Sequence, residues 1–272
     1  MSADITPGLA GIPVTRSSIS FVDGQRGILE YRGIPIQTIV ESSSTLENAY
    51  LLMHGALPGP SALSEWEGLI KEKMPLQPAL LDVIRSLPAE GHPMNALASS
   101  VTAAGMCYSQ QDQSQPNYPA RSAIRLIAKL PGMVAAFHRI RSGQEPLESK
   151  PELDYAGNFL WMLTGNEPSD IQRRIMDAAL MIHADHTMNA STFASRVTGS
   201  TLSDAYMVIA AGVATLHGPL HGGANEAVLR QLNGIGKVEN VRPWMEKAVA
   251  AKERIMGLGH RVYKVKDPRA VV

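Results

Sequence analysis

Apolar positions along this chain recur mostly at helical spacing, with one early exception. The segment SISFVDGQRGILEYRG alternates apolar and polar residues on either side of Asp23-Gly24. That period of two around a turn-forming pair predicts a small β-hairpin. Beyond it nearly every segment reads as helix. Ser44-Thr45-Leu46-Glu47 is a capping box that opens a helix running through Leu51 and His54 and closed by Gly55. Leu63, Trp66, Leu69 and Ile70 mark one face of a second helix. Further helical patterns cover 77–87, 93–108, 119–142, 153–164, 168–187, 203–216, 226–233 and 242–256. The pattern at 168–187 starts with Pro168 and a second capping box, Ser169 to Gln172. Pro131 is expected to kink or divide the segment at 119–142. The stretch Ala205 to Thr215 is apolar almost all round, which predicts burial inside a large helical domain. SQQDQSQPNYP at 109–119 reads as a polar surface loop. The glycines in Asn233-Gly234-Ile235-Gly236 interrupt the helical pattern and mark a domain boundary, with 1–235 as a large helical domain and 236–272 as the start of a smaller one.

Composition narrows the class. At 272 residues the chain suits one large domain or two unequal ones. Lys plus Arg and Asp plus Glu both number 25, which gives no support for a nucleic-acid partner or a membrane surface. The single cysteine, Cys107, excludes an intramolecular disulfide and fits a reducing cytoplasm. The most apolar run, Tyr206 to Leu216, is too short to span a bilayer. MSADITPGLAG has neither a basic start nor a long apolar stretch, so no signal peptide is expected there. The expectation is a soluble, cytoplasmic, mainly α protein.

Chemistry concentrates in the last third, where His183, His186, His217, His221 and His260 fall. His54, His92 and His138 read as structural, His138 lying near a helix end where a cation suits the dipole. The spacings of His183 with His186 and of His217 with His221 resemble metal-ligand pairs. Gly218-Pro219 argues against a regular helix between the second pair, there is no HExxH signature and the cysteine is isolated, so no metal site is expected. In TLHGPLHGGANEAV, Gly222-Gly223 lets backbone approach a ligand closely, and Asn225 can cap a helix beginning at Glu226. An imidazole at such a helix start is disfavoured as a cation, which suits His221 to donate a neutral N–H to an enolate oxygen. A glycine-rich turn with a structural histidine fits this stretch equally well.

The C-terminal segment AKERIMGLGHRVYKVKDPRA carries Lys252, Arg254, Arg261, Lys264, Lys266 and Arg269 against Glu253 and Asp267. In a chain without net charge this local excess points to an anionic ligand, or else to a solvated face. Gly257-Leu258-Gly259 is not a dinucleotide fingerprint, since it follows no predicted strand.

Taken together, MIHADHTMNASTFASRV, LHGPLHGGANEAV and GLGHRVYKVKDPRA, in this order and spacing, closely resemble the citrate synthase family. GLAGIPVTRSSISFVDGQRGILEYRGIPI and AYLLMHGALPG look like its shorter bacterial-type members, and the resemblance runs from residue 8 to 270. It implies a multi-helical homodimer, or a higher homo-oligomer, with a large helical domain and a smaller mobile one. It also implies the condensation of acetyl-CoA with oxaloacetate and hydrolysis of citryl-CoA, with acetyl-CoA as cosubstrate and no tightly bound cofactor. By motif, His221 would hold the thioester oxygen as the enol forms, and His260 would serve the oxaloacetate carbonyl. His186 and Arg269 would bind oxaloacetate, Arg269 through charge-assisted contacts. Met256, Gly257, Leu258 and Gly259 would form part of the coenzyme A site, with Lys264 a weaker contributor because some relatives carry Arg there. The family's proton-abstracting aspartate lies downstream of the DPR motif, and neither Asp267 nor Asp185 matches it, so the chain reads as truncated at Val272 and poorly active alone. A 2-methylcitrate synthase using propionyl-CoA and a noncatalytic oligomerising fragment are the alternatives.

Overall fold

A computed structural model describes residues 12–272; the expectation of no signal peptide concerns MSADITPGLAG and lies outside them. The predicted hairpin is present as β1 (Ser20–Asp23) and β2 (Ile28–Tyr31), and a short β3 (Ile34–Pro35) extends it into a three-stranded antiparallel sheet. The register sets Ser20 opposite Tyr31 and Asp23 opposite Ile28. Directly opposed residues project from the same face of a sheet, so Ser20 and Tyr31 stand side by side.

Thirteen α-helices follow among the described residues: α1 (Ile36–Ser42), α2 (Thr45–His54), α3 (Pro60–Lys73), α4 (Pro78–Ser86), α5 (Pro93–Met106), α6 (Gln110–Gln113) and α7 (Tyr118–Arg141) form the first half. Then come α8 (Tyr155–Thr164), α9 (Asp170–Ile182), α10 (Ala190–Ser200), α11 (Ala205–Leu216), α12 (Gly223–Ile235) and α13 (Val241–Ala250). Both capping boxes form, Ser44 with Glu47 on α2 and Ser169 with Gln172 on α9. Gly55 closes α2 in the left-handed conformation, as its sequence position predicts.

The expectation at Pro131 is overturned, for α7 is not divided there. A proline removes the N–H that would bond the carbonyl four residues back, here that of Ile127. The Tyr155 hydroxyl on α8 donates to that carbonyl at 2.6 Å, so the helix loses no acceptor by carrying the ring. The helix is buried on several faces, including Ser122, Arg125, Leu126, Ala128, Lys129, Met133, Ala136 and Phe137. It packs against α3, α4, α5, α8 and α11. Burial pushes the pKa of Lys129 down to about 8, and its ammonium donates to the Pro75 carbonyl.

Other boundaries differ from the periodicity. Pattern 109–119 is not wholly a loop, since α6 forms there and its Asp112 pairs with Arg121 and Arg125. The 168–187 pattern stops at Ile182, because the last carbonyls of α9 find partners outside a helix. The His183 ring bonds the Ala179 carbonyl at 2.7 Å, and the Tyr31 hydroxyl lies 3.1 Å from that of Met181. The 242–256 pattern ends at Ala250, where left-handed Lys252 turns the chain and the Glu253 N–H returns to the Ala248 carbonyl at 2.9 Å. Helices α1 and α10 escape the pattern altogether. The burial expected for 205–215 is incomplete: in the single chain only Tyr206 of α11 is fully buried, and Met207 is exposed.

One of three buried clusters joins the hairpin to the helices: Leu29, Tyr31, Ile36, Ile39, Leu51 and Met181. The C-terminal segment returns to the same hairpin. The Lys264 amide donates to the Gly24 carbonyl at 2.8 Å, and a Cβ on Gly24 would meet the Val262 carbonyl oxygen at 2.2 Å. Only glycine permits so close an approach of two backbones.

Two outcomes are expected. Tyr155→Phe leaves the Ile127 carbonyl unpaired and costs about 1–3 kcal/mol in denaturant melts; in a Pro131→Ala background, where the restored amide takes that carbonyl, the cost falls toward zero. A double-mutant cycle without coupling would contradict this pairing. Gly24→Ala detaches the 262–266 segment, so the Lys264 amide exchanges hydrogen about tenfold faster or more; unchanged protection would show the contact to be unimportant.

Candidate functional site

The loop between α9 and α10 carries His186, and the hairpin holds it. Ser20 Oγ donates to the Asp185 carboxylate, and the Thr187 N–H donates to that carboxylate at 2.9 Å and reaches Ser20 Oγ at 3.2 Å. Opposite Ser20, the Tyr31 hydroxyl accepts the Asp185 N–H at 3.2 Å and lies 3.0 Å from its carbonyl. Burial above all pushes the Tyr31 phenol up to about 12, so it stays a neutral partner. Thr187 is held at φ 58°, a left-handed conformation that a β-branched residue adopts only under constraint. His186 thus lies between two residues anchored to one carboxylate.

The C-terminal segment meets this loop. The His186 Nε2 lies 3.0 Å from the Tyr263 hydroxyl, and the His186 and His260 rings are 5.6 Å apart. His260 Nδ1 accepts the N–H groups of Val262 at 3.0 Å and Tyr263 at 3.1 Å. Two donors on Nδ1 fix the neutral tautomer with the proton on Nε2. Arg269 bonds Asp267 through Nε at 3.0 Å and Nη2 at 2.6 Å. Burial opposes ionisation of Asp267, but the Arg269 guanidinium and amide outweigh it and hold the carboxyl below its usual range. Burial, then the positive Arg269, lower the pKa of His186, with Asp267 and Asp185 opposing.

His221 stands in the turn before α12, and its partner is Ser191 on α10: Nε2 to Oγ is 2.8 Å. The expected helix start at Glu226 with an Asn225 cap is corrected to Gly223, and Asn225 lies inside α12. The preceding turn already folds back on itself, with the Gly222 N–H on the Leu216 carbonyl at 3.0 Å and that of Gly223 on Gly218 at 3.2 Å. A Cβ on Gly222 would stand 2.4 Å from the Leu216 carbonyl oxygen. The glycine after His221 is therefore required by backbone packing. His217 caps the end of α11 instead and packs edge-on against His92, ring centres 4.4 Å apart. His92 caps α5 through Nδ1 and pairs with Glu226 through Nε2 at 3.0 Å.

Gln231 of α12 clasps Met256 from both sides, accepting its N–H at 2.8 Å and donating to its carbonyl at 3.3 Å. Past this anchor Gly257 and Gly259 take left-handed conformations (φ 87° and 82°) and Leu258 is exposed. The Lys264 ammonium donates to the Arg261 carbonyl at 3.3 Å. Among the described residues no group of three His, Cys, Asp or Glu side chains is arranged to hold a metal ion.

The structure therefore brings His186, His260 and Arg269 into one cluster; His221 is held separately by Ser191 on α10, with no direct contact to that cluster among the described residues. Reasoning on sequence missed Ser20, Tyr31, Ser191, Gln231 and Tyr263. Ser191 and Tyr263 sit inside the quoted motifs, where attention to the neighbours of each histidine would have found them. Ser20 and Tyr31 lie more than 150 positions from Asp185 and leave no local signal.

These features have close counterparts. A family model described as the citrate synthase C-terminal domain matches residues 8–272. A citrate synthase of Synechocystis sp. is 52% identical over 265 residues, covering 97% of this chain and 67% of that protein. The crystal structure of citrate synthase from Pyrobaculum aerophilum is 40% identical with a TM-score of 0.90, over 97% of this chain and 68% of that one. The ternary complex of carboxymethyl coenzyme A and oxaloacetate with citrate synthase from Thermoplasma acidophilum is 31% identical with a TM-score of 0.89, over 98% and 71%. With the histidine-bearing loops, the fold and the sequence all in agreement, the chain belongs to the citrate synthase family.

Proposed function

We propose that this chain serves the citrate synthase reaction: acetyl-CoA, oxaloacetate and water give citrate and CoA. The observation that carries the reading is the hydrogen bonding that occupies one nitrogen of each of the two histidines. With Nδ1 of His260 occupied by two backbone donors, Nε2–H is the atom left to donate to the oxaloacetate carbonyl as the new carbon–carbon bond forms. Ser191 Oγ occupies Nε2 of His221; in the proposed reading the serine donates there, and Nδ1–H serves the thioester oxygen as a base removes the methyl proton. Arg269 and His186 hold the oxaloacetate carboxylates, and water then cleaves citryl-CoA. The loop from Met256 to Gly259, with Lys264, takes coenzyme A. No tightly bound cofactor is required.

Two carboxylates stand near the histidines, and both are engaged: Asp267 by Arg269, and Asp185 by Ser20 and the Thr187 amide. Neither is free to act as the base. The large domain is proposed to span 1–235, with the smaller beginning at 236. Exposed Phe193 and Val197 on α10 and Met207 and Leu216 on α11 support a homodimer through this helix pair. A cytoplasmic setting is part of the same reading; among the described residues no helix is long and apolar enough to cross a membrane. Propionyl-CoA is not favoured as substrate, since relatives 52% and 44% identical over nearly the whole chain are named citrate synthases.

CoA release tests the reading, measured on the 272-residue chain and on the protein at its relatives' full length. The short chain should be slower by about 10²–10⁴, the usual contribution of a positioned base, and acetyl-CoA should outrun propionyl-CoA in the longer one. Equal rates would mean that Asp185 or Asp267 is the base. In the longer protein His221→Ala should lower kcat by about 10²–10³. Arg269→Ala should chiefly raise KM for oxaloacetate, because it removes a contact made in ground and transition states alike. Identical binding-type defects in both variants would contradict the assigned roles.

A further inference from the structure

Tyr263 touches both histidines of the cluster by different atoms. Its backbone N–H is one of the two donors on His260 Nδ1, while its hydroxyl meets His186 Nε2 at 3.0 Å. The side chain is buried, at 4% exposure. Among the described residues that hydroxyl has His186 as its hydrogen-bond partner, and His186 Nδ1 has none.

We propose that Tyr263 is a positioning residue that sets the tautomer of His186: the phenol donates to Nε2 and leaves Nδ1–H as the donor offered to an oxaloacetate carboxylate. This rests on the substrate reading of the preceding section. A neutral imidazole carries one proton, so whichever nitrogen accepts makes the other a donor. If Nε2–H donated to the phenol instead, Nδ1 would present a lone pair to an anion and repel it. Protonating both nitrogens would also make Nδ1 a donor, but burial and the nearby Arg269 disfavour the charged ring. Burial likewise pushes the Tyr263 phenol up, so it keeps its proton to donate. The backbone around His186 is fixed by Asp185, Ser20 and Tyr31, which leaves the ring hydrogen bond as the remaining control on its chemistry.

Tyr263→Phe removes the hydroxyl and keeps the backbone amide on His260, so the two histidines report separately. Two-bond nitrogen–proton NMR on the ¹⁵N-histidine-labelled chain should find His186 as Nδ1–H in the wild type and shifted toward Nε2–H in the variant. His260 should remain Nε2–H in both. In the protein at its relatives' full length, the variant should raise KM for oxaloacetate about tenfold, the effect of losing one oriented hydrogen bond to a charge, with kcat changed less. Wild-type His186 found as Nε2–H overturns the proposal without any variant, and so does a tautomer unchanged in Tyr263→Phe. A wild-type Nδ1–H signal in a protein that does not bind oxaloacetate would sink the substrate assignment while upholding the tautomer control.

Discussion

The side-by-side placement of Ser20 and Tyr31 across β1 and β2 is the constraint on which the candidate site depends. Both side chains grip Asp185, one at its carboxylate and the other at its backbone. The pairing exists only in the observed register, since a slip of one residue would send one of the two to the opposite face of the sheet. From this grip follows the left-handed turn at Thr187, the position of His186, and the entry into α10, where Ser191 meets His221. The turn of the same hairpin receives the C-terminal segment at Gly24, which sets His260, Tyr263 and Arg269 beside His186. A small sheet in a helical protein thus acts as the jig for two loops drawn from distant parts of the chain.

The helical body supplies rigidity behind that jig. Its central member, α7, tolerates a buried proline and a buried lysine because each missing or costly interaction is met by a specific partner. Tyr155 replaces the amide that Pro131 lacks, and the Pro75 carbonyl takes the ammonium of Lys129. Buried polar groups are stable where paired and expensive where not, so these contacts fix how α8 and the α3–α4 connection seat on α7. Helices α10 and α11 pack closely with each other, α11 also against α5, and they carry Ser191 and the turn with His221 at their ends.

In the proposed reading the chemistry is that of imidazoles made directional by what occupies one nitrogen of each ring. Backbone amides occupy it in His260, a serine hydroxyl in His221 and a phenol in His186. Neutral donors suit a reaction in which charge builds on carbonyl oxygens, because their hydrogen bonds strengthen as the oxygen becomes negative. The clustered positive groups, Arg269 foremost, both favour an anionic substrate and help keep His186 uncharged.

Local signals were legible along the chain wherever the physics was local. The hairpin, both capping boxes, the glycine stop at Gly55 and most helices follow from periodicity and capping chemistry among neighbouring residues. Three linked motifs identified the family and named the three histidines. What the sequence could not display was any feature whose cause lies far away. The unbroken α7 depends on Tyr155, and the early end of α9 on Tyr31. The ring nitrogens of His186 and His221 find their partners in Tyr263 and Ser191, 77 and 30 positions away. Sequence by itself determined the residue types and the helical class, because those rest on short-range geometry. Tertiary structure alone decided which partner each ring nitrogen meets, because a hydrogen bond depends on distance in space and not on distance along the chain.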